Sequence, residues 1–309
     1  MKMIPTSLRM RLNKQLALLA GFLFLFLSCE EVIEVEVPTD DPRLVVNGLI
    51  RVDTDEEFMP VEIRVSLTNN FFEELPVTNV EAMVIVQSFF DEDGVITFTR
   101  TSSLTELDPG SGVYVPDPSF DADQRIRVNQ TEFDVLYTLI ITWEGRRYAA
   151  QTKYVPAVPV DMLEIGDGTL FGDEDTELIV TFTDDPDRDN FYVFDFGFNE
   201  FLTTEDQFYQ GQQFSFSYFY DQEFDPGTVL EVSILGADQT FYNYMDLLIV
   251  QSQGDQGPFQ TPVATVRGNV FDITGLDNID IVDNVERPNE FALGYFAIVQ
   301  EYKDSITIQ

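Results

Sequence analysis

Apolar and polar residues alternate with a period of two through most of the first half of the chain. Val61, Ile63, Val65 and Leu67 alternate with Glu62, Arg64, Ser66 and Thr68, which is the pattern of a strand with one buried and one wet face. Val80, Ala82, Val84 and Val86 form a second series, and Asp93-Gly94 supplies a hairpin turn before Val95 to Arg100. Val135, Tyr137, Leu139, Ile141 and Trp143 form another, whose opposite face carries Asp134, Thr138 and Thr142. Glu144-Gly145 turns the chain into Arg146 to Thr152, and Leu44 to Ile50 adds a further strand. Short strands separated by turn signals, with no helical period, predict a β-sandwich over residues 43–157. A single Trp and no cysteine pair exclude the antibody-type core.

Pro156 and Pro159 end this pattern, which places a domain boundary near Val158. Beyond the acid-rich loop Asp173-Glu174-Asp175, strands are expected at Glu177 to Thr183, Phe191 to Phe198, Gln213 to Tyr220 and Val229 to Leu235. Closing strands are expected at Val270 to Ile273, at Phe291 to Tyr302 and at Ile306 to Ile308. The period changes once. Phe241, Tyr244, Met245, Leu248, Ile249 and Ser252 follow the spacing of one helical face. Asp238 stands where its carboxylate can cap the first turn, and Gly254 and Gly257-Pro258 lie just past the end. Residues 158–309 therefore read as a second β-rich domain with one packed helix near 238–252.

Composition narrows the chemistry. The 309 residues carry 17 basic and 55 acidic side chains, a net charge of −38, with no histidine and one cysteine. No Ser–His–Asp or Cys–His site and no His-ligated metal can be built from this set. One cysteine forms neither an intrachain disulfide nor an iron–sulfur cluster. So acidic a chain repels nucleic acid. An apolar fraction of 44% with 13% aromatics excludes disorder despite the charge. No glycine-rich phosphate loop precedes a helix, and no Ser-x-x-Lys follows the N-terminal segment. A pair of carboxylates remains chemically open as a hydrolytic site, although 55 acids give no means of choosing one. No cofactor is implied.

The N-terminus reads as an address. Lys2, Arg9, Arg11 and Lys14 precede the apolar run Leu16 to Leu27, which is shorter than the roughly 20 residues that span a bilayer. Phe26-Leu27-Ser28-Cys29 then resembles a bacterial lipoprotein signal, with Phe26 a loose match at its first position. The resemblance implies a signal peptide over 1–28, cleavage before Cys29 and acylation of that cysteine, and so a membrane partner held through lipid. Loss of the four basic residues takes the charge from −38 to −42. Residues 29–42 form an acidic tether that reaches roughly 45 Å when extended. Glu30 and Glu31 resemble the export signal of surface-exposed Bacteroidota lipoproteins, with the periplasmic face of the outer membrane as the alternative.

Three clusters are candidate contact sites. Asp184, Asp185, Asp187, Asp189 and Asn190 offer alternating oxygen ligands of the kind calcium takes. An EF-hand opened by Asp185 fails, because Asn190 replaces its glycine and Phe196 its closing Glu; a solvated loop is the plain alternative. Phe214, Phe216, Tyr218 and Tyr220, with Phe208 and Tyr209 nearby, can line a core, stack a sugar ring or meet a partner. Phe71-Phe72, between Asn69-Asn70 and Glu73-Glu74, reads as an exposed aromatic pair for partner contact.

Several short segments in order also resemble a family. They are Leu44-Val45-Val46-Asn47-Gly48-Leu49-Ile50, Pro76-Val77 leading to Val80, Ala82 and Val84, Gly112-Val113-Tyr114, Tyr137-Thr138-Leu139, Tyr148-Ala149-Ala150 and Val155-Pro156. Phe182-Thr183-Asp184, Asn190-Phe191-Tyr192, the tyrosine-rich helix, Pro258-Phe259, Pro262, Gly268-Asn269 and Gly294-Tyr295-Phe296 follow. Together they resemble the Bacteroidota outer-membrane lipoproteins grouped as the domain of unknown function four-two-four-nine, often encoded beside TonB-dependent receptors. The order of the Pro–Ala segment, the turn and Gly112-Val113-Tyr114 also resembles immunoglobulin-like or transthyretin-like sandwiches, and implies that fold for residues 43–157. The resemblance implies a non-enzymatic envelope protein that assists a TonB-dependent transporter in nutrient uptake by capturing a small-molecule or glycan ligand or by gating. A carboxylate-based surface hydrolase and a structural or adhesive surface lipoprotein are the alternatives.

Overall fold

The computed structural model describes residues 42–68, 80–170, 175–252, 266–276 and 291–309. Residues 42–309 form one compact unit. The first half holds β1 (Leu44–Val52), β2 (Ile63–Leu67), β3 (Ala82–Phe90), β4 (Ile96–Glu106), β5 (Val113–Pro116), β6 (Val135–Trp143) and β7 (Arg146–Val155). Next come β8 (Val160–Ile165), β9 (Thr176–Thr183), β10 (Phe191–Asp195), β11 (Phe201–Glu205), β12 (Gln213–Tyr220) and β13 (Val229–Ala237). The helix α1 (Gln239–Ser252), β14 (Phe271–Asp272) and the long β15 (Leu293–Thr307) complete the order. The described residues are mainly β with one packed helix, as the patterning predicts. The closing segments around Phe291–Tyr302 and Ile306–Ile308 are largely one strand. β5, β8 and β11 lack a clear alternation: β5 has four residues, β8 has a shifted register between Val160 and Met162, and β11 reads FLTTE.

Alternation sets most of the burial. Val135, Tyr137, Leu139, Ile141 and Trp143 all point into the first core, as do Val61, Ile63 and Val65. In β3 the inward face is the opposite one to that expected. Met83, Ile85 and Gln87 are buried, while Val84 and Val86 are half-covered and Ala82 is exposed. Both faces of this strand are apolar enough to go inside, so the composition does not choose. The antiparallel register with β6, in which Ile85 faces Leu139, does. Gln87 is tolerated there because its Nε2 donates to Ser102 Oγ on β4 at 2.9 Å.

The strand order β11-β10-β13-β15-β1-β2-β5-β4-β3-β6-β7-β14 bends back on itself, because β15 also pairs with β7. Eight strands around the first core thus close into a ring whose seam lies between β7 and β15. The direct ladder there is short, with Ile298 opposite Tyr154 and Val299 opposite Val155. Side chains extend it. Asn269 Nδ2 donates to Gln151 O (3.1 Å) and Phe296 O (2.8 Å), while its Oδ1 accepts from Phe296 N (2.8 Å). Gln300 Oε1 accepts from Ala157 N at 3.0 Å. Gly294 starts β15 at φ +90°, and a Cβ there would lie 1.8 Å from Val46 O. Only glycine fits both conditions.

β15 serves both halves. Its first part pairs with β1, and Glu301 to Thr307 pairs with β13. On the far side of this shared sheet, Phe241 and Met245 of α1 pack on Val193, Leu235, Ala297 and Val299. Asp238 caps the helix as expected, with Oδ1 accepting from Phe241 N at 2.7 Å. Packing covers only part of the expected face, since Leu248 is 37% exposed.

The second core lies between β10, β13 and the end of β15 on one side and the separate three-stranded sheet β12-β9-β8 on the other. It is built mainly from rings. Phe182 of β9 has Tyr192, Phe194 and Tyr209 each 5.5 Å away between ring centres. Edge-to-face pairs of this kind add about 0.5–1.5 kcal/mol beyond the area they bury.

Candidate functional site

The expected lipid-attachment residue Cys29, the export residues Glu30 and Glu31, and the aromatic pair Phe71 and Phe72 all lie outside the described residues, as does the tether up to Asp41. Among the described residues no helix is long and apolar enough to cross a membrane.

The acidic segment at 184–190 is bound inward. Asp184 is buried and its Oδ1 accepts from the Tyr192 hydroxyl at 2.6 Å. Its Oδ2 accepts from Gly211 N at 2.7 Å. Burial, then the Asp184 hydrogen bond, raises the Tyr192 pKa far above its ordinary value. Asp185 accepts from Asp187 N and Arg188 Nε. Asn190 Nδ2 donates to Asp185 O and Arg188 O, and Asn190 N donates to Asp206 Oδ2 at 2.7 Å. The segment is therefore a latch joining β9, β10 and the start of β12. Among the described residues no group of three or more acidic or sulfur ligands is arranged to hold a metal ion.

The aromatic strand β12 lies against the second core. Phe214 stacks on Tyr209 at 4.6 Å, Phe216 meets Phe194 at 5.1 Å, and Tyr218 stacks on Phe196 at 3.7 Å with planes 7° apart. The Tyr218 hydroxyl donates to Glu200 Oε2. The expectation that this strand lines a core describes its inner face. Its rings are only half-covered, however, apart from the fully buried Tyr220.

At the Tyr220 end the hairpin between β10 and β11 turns through Gly197, Phe198 and Asn199, with φ of +72°, +51° and +65°. The left-handed region is unfavourable for a bulky side chain such as Phe198. The turn is held by Phe196 N donating to Glu200 O (3.0 Å), Glu200 N donating to Gly197 O (2.8 Å) and Gly197 N donating to Asp195 Oδ1 (2.9 Å). The outcome is a phenylalanine 59% exposed, its ring 6.1 Å from Tyr220 and 5.4 Å from Phe224. Backbone strain that leaves an aromatic ring in water is a feature that clusters at binding sites. At the other end of β12, Phe208 is 88% exposed. The sequence marked Phe208 as part of the aromatic cluster but passed over Phe198, whose signal was its place between Gly197 and Asn199 in a turn.

A separate shallow cavity of about 320 Å³ opens beside β1 and β2, lined by Val45, Asn47, Arg64, Ser66, Ser111 and Val113. Arg64 is turned to Glu62 within it, at 2.6 Å.

A family model described as "Domain of unknown function (DUF4249)" matches residues 30–305. The chain belongs to this family. The DUF4249 match spans both cores, the helix and β15 up to Ser305. No curated protein matches the chain. Among solved structures, a crystal structure of red sea bream transglutaminase aligns over 65% of this chain and 29% of that one, at 10% identity and a TM-score of 0.21. That likeness is too slight to bear on the fold or chemistry of this DUF4249 protein.

Proposed function

We propose that this protein is a non-enzymatic lipoprotein of the outer membrane that works as an accessory or ligand-capture partner of a TonB-dependent transporter. The observation that carries the reading is the N-terminal layout: a basic segment, a short apolar run and Cys29, followed at once by Glu30, Glu31 and an acidic tether. Acyl chains on Cys29 hold the molecule to the membrane, and the tether lets the β unit range over a receptor. The strained, exposed Phe198 beside the aromatic wall supplies a contact surface of the kind that dominates interface energetics. The high negative charge keeps the unit off anionic headgroups and in solution above the membrane.

Tagged protein isolated from outer membranes in mild detergent should bring a TonB-dependent receptor with it, and Cys29→Ser should move the protein out of the membrane fraction. A preparation free of receptor, from cells grown where the transporter is expressed, would overturn the partnership. A Cys29→Ser protein that stays in the membrane would overturn the anchor.

A further inference from the structure

Sheet edges are templates for foreign strands, and folded proteins blunt them with brevity, charge, bulges or cover. Three of the four sheet ends among the described residues follow that rule. β14 has two residues. β11 has five residues, ends in Glu205 and lies under α1, where Thr203 Oγ1 donates to Asp246 at 3.1 Å. β8 has an irregular register and carries Asp161 and Glu164. The fourth, β12, departs from it. It runs for eight residues, QFSFSYFY, with no charge, proline or bulge.

The ladder tells which backbone groups β12 presents. On the β8 side, Glu177 O accepts from Gly166 N; on the β12 side, Asp184 N donates to Gln212 O. Odd positions of β9 therefore bond toward β8 and even positions toward β12. Through the register Leu178–Tyr218, Val180–Phe216 and Phe182–Phe214, the aromatic residues of β12 bond inward. The N–H and C=O groups of Gln213, Ser215, Ser217 and Phe219 point outward, to the side on which no described strand pairs with β12. Phe208 and Phe198 stand exposed beyond the two ends of this edge.

We propose that β12 is a docking edge for an extended, cationic strand of a partner protein, added to the three-stranded sheet by main-chain hydrogen bonds. Charge selects the occupant. The outer face of this sheet carries Asp161, Glu164 and Glu177, and the chain between Lys153 and Arg267 holds one cation, Arg188, which is paired with Asp185. A second copy would bring the same negative surface against itself. A segment alternating apolar and basic residues would extend the aromatic face with one set and place the other in the negative field of the carboxylates on β9 and β8. The inference rests on the reading that this molecule binds a partner protein, and not on that partner being a transporter.

The probe is a peptide of alternating valine and lysine, as long as β12, offered to the full chain in detergent micelles. It should bind saturably and slow amide exchange at Ser215, Ser217 and Phe219 by at least about tenfold. Methylating one alternate set of its backbone nitrogens should abolish binding, while methylating the other set leaves it intact. Equal binding by both methylated peptides, or unchanged exchange at those amides, would overturn the proposal. A valine–glutamate peptide should bind at least about tenfold more weakly, and equal binding would overturn the cationic occupant. Ser217→Pro removes an outward N–H, along with an exposed hydroxyl that donates to Glu177, and should abolish binding with little change in melting temperature; if this variant unfolds, the methylated pair on the unaltered protein decides. Concentration-dependent dimers of the unaltered protein, held through β12, would overturn the choice of occupant. Receptor co-purification is read separately, so its failure and the failure of peptide binding are distinguishable.

Discussion

The two cores of this molecule are made from the same alternating pattern but from different side chains, and they end differently. The first is chiefly aliphatic, with Val46, Ile50, Ile63, Ile85, Leu139 and Ile141 at its centre. Its strands close into a ring, and surface carboxylates around it meet cations in pairs such as Arg127–Glu57 and Lys153–Asp134. The second is chiefly aromatic and is bounded by a small sheet whose β12 edge pairs with no other strand among the described residues. With almost no cations available there, buried carboxylates are satisfied by hydroxyls and backbone N–H groups instead, as at Asp184. The comparison teaches that closure and openness here follow from what satisfies the polar groups. Ring closure uses Asn269 and Gln300 to finish a ladder. The aromatic region completes its buried network internally, and no described strand uses the outward groups of β12.

Alkaline pH should produce the largest effect and should separate the two cores. Burial raises the hydroxyls of Tyr192, Tyr209, Tyr218 and Tyr220 in the second core above their ordinary value of 10. An acid whose folded pKa is raised contributes fully below its unfolded value and loses that contribution as pH rises through the folded one. The first core also holds raised tyrosines, among them Tyr137 and Tyr154, the latter pushed up to about 12. The second is the more vulnerable, because ionised Tyr192 and Tyr218 would lie against Asp184 and Glu200, to which no cation among the described residues is bonded. Amide exchange between about pH 10 and 12 should therefore rise in β9, β10 and β12 before it rises in β6. The reverse order would break the comparison.

Substitutions follow in decreasing order. Gly294→Val forces a side chain into Val46 O at positive φ, and should cost about 4 kcal/mol or prevent folding, read by denaturant melts. Asp184→Ala strands the Tyr192 hydroxyl and Gly211 N, and should cost about 3 kcal/mol. Asn269→Ala leaves Phe296 unpaired at the ring seam, and should cost about 2 kcal/mol, with faster exchange at Phe296. Tyr137→Phe should change stability by less than about 1 kcal/mol, and in the stabilising direction, since the buried Tyr137 hydroxyl has no hydrogen-bond partner among the described residues.

Most of this architecture was legible in the alternation, because a strand with one face buried must alternate whatever its neighbours are. The helix was legible for a related reason: its period differs, and Asp238 marks its start. What escaped was decided by pairing. β3 carries apolar residues on both faces, so its inward side was set by β6. The seam depends on Asn269 and Gly294, which stood in the quoted segments as an order of residues without a reason; the structure supplies one. The candidate site was legible only as a run of aromatics. Its exposed ring, Phe198, lay inside an expected strand and was hidden by that reading, and the open edge of β12 is a property of neighbours that a sequence does not display.

The most direct test of the open second region is residue-level amide exchange on the unliganded protein near neutral pH. Exchange should alternate along β12, with Ser215, Ser217 and Phe219 fast and Phe214, Phe216 and Tyr218 slow, while Phe296 and Ile298 at the ring seam are protected. Uniform slow exchange along β12 would show that the edge is already covered and would contradict the account.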